Sequence, residues 1–351
     1  MNFLKFQAKK WIGAILIAAL AATLMVPLGA CTAIQERIIQ EGIKRELEDI
    51  KQLKNESVNE MIRNAGSAEG FDLIGIGAEA FLLTWFSDFD YHIEKVSVEG
   101  DTATASISLT CKTGESFFNA LGESISRFVS DKTPTDERST KEVFGTLFLE
   151  AIKDAPTETV SINLPLEKKN GVWAPSDNYT DELEVALLGN AESSEGLLYM
   201  LVFLHFEPLK RLDDEAMDIL LKETGSSSDF AAIGVSEEDF FKTWLAGFDY
   251  TIDSVAVESE STATATVTIT CKQLNDAESI LDSKVSNFVK SGSARHMNSE
   301  EIDKAVGGLL VEALNETTPK TTTLTLPFIK TSTAWEIDPA NDSIKKALLG
   351  E

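Results

Sequence analysis

"FDYHIEKVSVEGDTATASISLTCK", Phe89 to Lys112, returns later in the chain as "FDYTIDSVAVESESTATATVTITCK", Phe248 to Lys272. Within the first stretch Ala103, Ala105, Ile107, Leu109 and Cys111 share one parity, while Thr102, Thr104, Ser106, Ser108 and Thr110 share the other. A period of two is the signature of a strand with one buried face. The turn residues "EGD" and "ESES" divide each stretch into two such runs, so each reads as a hairpin.

The repetition reaches far beyond the hairpins. An offset of 159 relates Gly66 to Gly225, Phe71 to Phe230, Gly75 to Gly234, Phe81 to Phe240 and Trp85 to Trp244, and one extra turn residue makes it 160 at Cys111 and Cys271. Further on, "LPL" from Leu164 answers "LPF" from Leu326, Trp173 answers Trp335, and "ALLGN" ending at Asn190 answers "ALLGE" at the end of the chain. A period near 160 residues is long enough for each copy to bury a core of its own, unlike a solenoid unit of roughly 20 to 50 residues. The short polar stretch Asn190 to Gly196 is the natural boundary. The expected organisation is therefore an N-terminal segment 1–30, a repeat domain 31–190 and a second repeat domain 191–351.

Within a copy, helix and strand periods alternate. Helices are expected before Gly66 and Gly225, around Phe81–Trp85 and Phe240–Trp244, and again in "ESFFNALGESISRFVS" with "STKEVFGTLFLEAIKDA", matched by "DAESILDSKVSNFVK" with "SEEIDKAVGGLLVEALNE". A second hairpin follows, with Val160, Ile162, Leu164 and Leu166 alternating before Trp173, and Leu324, Leu326 and Phe328 before Trp335. The fold class is α+β: two tandem repeats, each an antiparallel sheet of about four strands packed against helices. "LLYMLVFLHF", Leu197 to Phe206, is apolar all round but only ten residues long, which predicts a helix buried on every side rather than a membrane span.

This order, with its "VEGDTATASISL" hairpin and terminal tryptophan strand, resembles the nuclear transport factor two-like and cystatin-like cone-shaped domains. It looks closest to bacterial lipoproteins of unknown function built on them. The resemblance covers nearly all of each copy and implies a fold, not a reaction.

The N-terminus gives an address. "MNFLKFQAKKWIGAILIAALAATLMVPLGAC" has a basic start, an apolar stretch from Ile12 to Val26, and small residues before a cysteine. Leu28, Gly29, Ala30 and Cys31 resemble the lipobox of bacterial lipoproteins. That resemblance implies a signal peptide cut before Cys31, an acylated (diacylglycerol- and palmitate-type) cysteine as first mature residue, and a cell-membrane location facing away from the cytoplasm. An uncleaved anchor is the alternative, since Ile12 to Gly29 is uncharged and just long enough to span. From Thr32 onward Ile34, Ile38, Ile43, Leu47, Ile50 and Leu53 form the stripe of an amphipathic helix, with no linker after the cysteine.

Composition excludes some functions. The net charge is −26, and −29 without the first thirty residues, which hold three lysines and no acid. Such a surface repels phosphate backbones, so nucleic acid is not a partner. No zinc spacing, phosphate loop or nucleophile motif occurs, and the three histidines, His92, His205 and His296, are not repeated between copies, so neither metal nor cofactor is expected. The repeated Asp90-Tyr91 and Asp249-Tyr250 are the candidate pocket residues. Adjacent strand residues point to opposite faces, so the simpler expectation is a helix-to-strand corner, with Tyr91 packing beside Ile93. Cys111 and Cys271 share parity with the buried alanines, which favours separate cores over a mutual disulfide. These features predict a membrane-tethered binding or interaction module, for an apolar small ligand or an envelope protein, with a small-molecule enzyme as the rival.

Overall fold

The computed structural model describes residues 31–52, 75–131, 138–169, 171–176, 194–214, 217, 227–331 and 334–351, with the backbone of 24–25. The helices expected before Gly66 and Gly225, and the Asn190 boundary, lie outside the described residues.

The alternating stretches form two antiparallel sheets, as the pattern requires. In the first copy β2 (Asp90–Glu99), β3 (Thr102–Lys112), β4 (Thr157–Lys169) and β5 (Val172–Pro175) pair in sequence order, and β1 (Leu24–Met25) adds two residues beside β5, with Leu24 opposite Trp173. In the second copy β6 (Asp249–Val257), β7 (Thr262–Cys271), β8 (Lys320–Lys330) and β9 (Trp335–Ile337) make a four-stranded sheet in the same order. Registers correspond: Ala105 opposes Leu164 and Ile107 opposes Ile162, as Ala265 opposes Leu326 and Val267 opposes Leu324. The alanine-led faces are buried and the Ser/Thr faces are half-exposed. Hydroxyls on the open faces bond across strands, Thr110 to Thr159 at 3.1 Å and Thr268 to Thr323 at 3.0 Å.

Both first strands carry a bulge. Pairing skips Glu94 in β2 and Asp253 in β6. The extra residue turns its carboxylate onto the open face, where Glu94 accepts the Ser108 hydroxyl at 2.5 Å and Asp253 that of Thr268 at 2.6 Å. A bulge at the same place in two edge strands twists them and blunts pairing with other chains.

The helices are α1 (Thr32–Gln52), α2 (Ala78–Trp85), α3 (Gly114–Ser130), α4 (Thr140–Asp154), α5 (Glu195–Arg211), α6 (Ser227–Ala232), α7 (Glu237–Trp244), α8 (Leu274–Lys290), α9 (Ser299–Glu316) and α10 (Ser343–Leu349). α9 opens with a full capping box, in which Asn298 and Glu301 each accept the other's backbone N–H. The chain divides into two compact units: described residues up to 124 with 141–197, and residues 125–140 with 198–351.

The core of the first unit is aromatic. Phe117 lies 4.7 Å from Phe148 and 5.6 Å from Trp85, which stacks on Phe81. Such offset and edge contacts add about 0.5–1.5 kcal/mol each beyond area burial. In the other unit α5 is buried round its whole circumference from Leu198 to Phe206, with Phe206 stacked on Phe248 and Tyr250. This is the burial expected for a helix apolar on every side.

Candidate functional site

Cys31 is exposed, whereas Cys111 and Cys271 are buried, and all three are free thiols. The carbonyl of Cys31 accepts the N–H groups of Ile34 (2.9 Å) and Gln35 (3.1 Å), so helix α1 starts at this residue without a spacer. Twenty-one residues of helix at 1.5 Å per residue place its far end ~30 Å from the cysteine. At that far end stands the repeated Asp-Tyr motif.

Asp90 and Tyr91 both hold α1. The Lys51 ammonium contacts Asp90 Oδ1 at 2.8 Å, and the Tyr91 hydroxyl reaches Glu48 Oε2 at 3.1 Å and the Lys44 carbonyl at 3.2 Å. Asp90 Oδ1 also accepts the N–H of Tyr91 at 2.8 Å. Tyr91 stacks on Phe89 with ring centroids 6.4 Å apart, an aromatic setting for the ring. Opposite parity does not part the two side chains here, because α1 crosses the strand end and meets both.

The second copy repeats this latch with the same residue types. Lys210 Nζ lies 2.7 Å from Asp249 Oδ1, and the Tyr250 hydroxyl donates to Glu207 Oε2 at 2.9 Å. The Lys210–Asp249 contact is ionic, since its geometry does not align a hydrogen bond. Glu48 and Glu207, like Lys51 and Lys210, are again 159 apart. These latch residues escaped the sequence reading, although carrying the offset back into the first helix of each copy would have found them.

The two latches differ in burial. The second has Arg211 where the first has Gln52, and its Nε donates to Glu207 Oε1 at 2.7 Å. Tyr250, Glu207 and Arg211 form a buried group, and the Arg211 guanidinium also donates to the Arg138 carbonyl at 2.7 Å. Burial pushes the Tyr250 hydroxyl well above the usual phenol range, and the Glu207 carboxylate adds to it. Tyr91 is pushed up to about 12, first by burial and then by Glu48. The hydrogen bond from Lys51 holds Asp90 below its ordinary value. Both phenols thus stay protonated to more alkaline pH than a free phenol and donate to carboxylates.

A second repeated pair follows the cysteines. Lys112 is buried and its ammonium contacts Asp88 Oδ2 at 2.9 Å. Lys272 is also buried, but the second copy has Gly247 in place of Asp88, and the Lys272 ammonium donates instead to the Thr243 carbonyl at 2.8 Å in the last turn of α7. A lysine there satisfies a terminal carbonyl and favours the helix dipole. Burial lowers its pKa. The thiols are quiet: burial pushes Cys111 up to about 12, and Cys271 directs its sulfur toward the Ala347 carbonyl of α10 at 3.8 Å.

Among the described residues, no group of three or more His, Cys, Asp or Glu side chains could hold a metal ion, and no helix is long and apolar enough to cross a membrane. No protein-family model matches the chain, and no curated protein matches it. Among solved structures it is similar to the crystal structure of a "putative lipoprotein (ycdA)" from Bacillus subtilis subsp. subtilis str. 168, with 13% identity over 75% of this chain and 81% of that one, at a TM-score of 0.27.

Proposed function

We propose that this chain is an exported protein, held on the outer side of a cell membrane by lipid on Cys31, whose two repeat domains act as a binding or interaction module. The observation that carries the reading is the state of Cys31: a free, exposed thiol directly after Leu28-Gly29-Ala30, at the first residue before a helix. Acylation needs an accessible cysteine, and the other two are sealed in cores. Tethering without a spacer suits a module that works close to the bilayer. Its latched helix α1 would transmit the position of the anchor to the sheet through Lys51 and Glu48. Processing before Cys31 would also remove β1 and leave the first sheet four-stranded, like the second. The candidate pocket residues Asp90, Tyr91, Asp249 and Tyr250 are occupied in holding helices, which favours binding over catalysis.

Intact mass of the protein from the membrane fraction tests the anchor. The expected species begins at Cys31 and carries a diacylglycerol adduct, and Cys31→Ala abolishes the adduct and leaves the precursor uncut. A wild-type chain that begins at any other residue, or at an unmodified Cys31, refutes the lipid anchor.

A further inference from the structure

α3 and α8 occupy equivalent places in the two copies. With the offset of 160, Ser126-Arg127-Phe128-Val129 answers Ser286-Asn287-Phe288-Val289, while Leu121 and Ile125 answer Leu281 and Val285. Phe117 and Phe118 become Ala277 and Glu278, but from Leu121 onward the apolar positions are kept and their burial is not. Leu121 and Ile125 are fully buried and Val129 is 4% exposed; Leu281 and Val285 are only half-buried and Val289 is 62% exposed. The neighbouring helices show the same contrast, with Phe144, Leu147 and Phe148 of α4 buried and Val306, Leu309 and Leu310 of α9 half-exposed. Met297, between α8 and α9, is exposed as well.

What covers α3 is visible, because α5 lies against it. At Gly196 the approach is so close that an added Cβ would fall 1.7 Å from the Phe118 carbonyl oxygen. Beside it the Ser194 hydroxyl donates to Asn119 at 2.9 Å. Seven residues after the glycine, Phe203 meets Phe128 edge-on at 6.0 Å. A small residue for close approach and an aromatic two turns later are what this kind of helix face receives.

We propose that the outer face of α8 and α9, centred on Val285, Phe288, Val289 and Leu309, docks a helix of a partner protein that presents a small residue seven positions before an aromatic and carries basic residues at its rim. Val289 and Met297 exposed beside half-buried Val285, Phe288 and Leu309, on an otherwise acidic surface, are the mark of an interaction site. A second copy does not supply the helix. At the positions of Ser194, Gly196 and Phe203, α1 carries Gln35, Arg37 and Lys44, which bring a Cβ and charge where the contact needs neither. Nor do two such faces suit each other, since residues 274–316 hold eight acids against four bases and like rims repel across a twofold. The same excess of acid selects a basic rim. This proposal rests on the interaction-module reading but not on the anchor: helix binding can fail with Cys31 acylated, and an unmodified Cys31 leaves the binding measurement intact.

The probe is a synthetic peptide of residues 194–211, the chain's own covering helix, added to the full-length protein in mild detergent, with or without acyl groups on Cys31, and followed by hydrogen exchange and by titration. The expected result is slowed exchange in α8 and α9, at least tenfold weaker binding to Val289→Asp, a similar loss when the peptide carries Gly196→Leu, and at least threefold tighter binding at low salt when it carries Glu195→Lys. Val289 is exposed, so its substitution leaves the thermal transition in place, which a melt verifies. Equal protection by the 32–52 peptide, binding indifferent to Val289→Asp, or protection confined to α3 overturns the proposal. So does a wild-type dimer in native mass spectrometry that Val289→Asp dissolves, which would give the face to a second copy.

Discussion

Glu207 is 1% exposed and takes two charge-assisted or phenolic hydrogen bonds, from Arg211 and Tyr250, while its counterpart Glu48 lies partly exposed beside Gln52 and Tyr91. The same residue therefore has two different weights. Removing one partner from a buried ion pair strands the other charge in a low-dielectric setting and costs ~3–5 kcal/mol, whereas a solvated pair is screened. Glu207→Ala is expected to destabilise the protein by about that amount, and Glu48→Ala to shift the denaturation midpoint far less; similar midpoints for the two variants in urea would refute the distinction. The phenols give a pH test of the same latches. For an acid whose folded pKa is raised, stability is complete below the unfolded value near 10 and is lost as pH rises above it, because only the unfolded chain then ionises. Tyr91, at about 12, and Tyr250, well above the phenol range, should thus delay phenolate absorbance until alkaline unfolding. Tyr91→Phe and Tyr250→Phe should each remove one late-titrating group, and a phenol from either position that ionises near pH 10 in the folded protein would contradict its burial.

The strands were legible because their physics is local: alternation alone placed Ala105 and Ile107 on the buried face and fixed which hairpins pair. The two helices after the first hairpin of each copy followed from the same kind of reading. The bulges went unread although the sequence carries their trace: the apolar parity switches from Tyr91 and Ile93 to Val96 and Val98, and from Tyr250 and Ile252 to Val255 and Val257, as one inserted residue requires. The latch helices were harder still. Helix periodicity constrains only that a position be apolar, so Ile43 became Val202 and Leu47 became Phe206, and the conserved signal shrank to Glu48 with Lys51 and Glu207 with Lys210. The partners of the Asp-Tyr motif lie some forty residues away, and a parity argument confined to one strand cannot see a helix crossing its end. The contrast between α3 and α8 has only a partial sequence signature. Phe117 and Phe118 become Ala277 and Glu278, but from Leu121 onward both carry the same apolar stripe, and exposure there is decided by what lies on it: Phe203 meets Phe128, and Val289 is exposed.

At the scale of the whole molecule, neither compact unit is a continuous piece of chain. The chain passes from one to the other at 124/125, within helix α3, again at 140/141, and again at 197/198, within α5. Residues 125–140 contribute Phe128 and the Arg138 carbonyl to the unit that holds α5, where Phe203 and Arg211 receive them. Two helices must therefore stay continuous across the division, and a helix melts cooperatively rather than at a chosen residue. A cut near residue 190 would separate Phe128 from Phe203 and leave α5 with an uncovered aromatic side. The intact chain is accordingly expected to unfold in one transition despite containing two cores. With Trp11 replaced by Phe in every variant, tryptophan reports on each unit separately, Trp85 and Trp173 in one and Trp244 and Trp335 in the other. In paired variants, Trp85→Phe with Trp173→Phe and Trp244→Phe with Trp335→Phe, the remaining fluorescence and the far-ultraviolet circular dichroism should give coincident midpoints in urea, once each variant is referred to its own stability. Two separated midpoints, each following the tryptophans of one unit, would mean that α3 and α5 can break at the division and that the copies fold as independent domains.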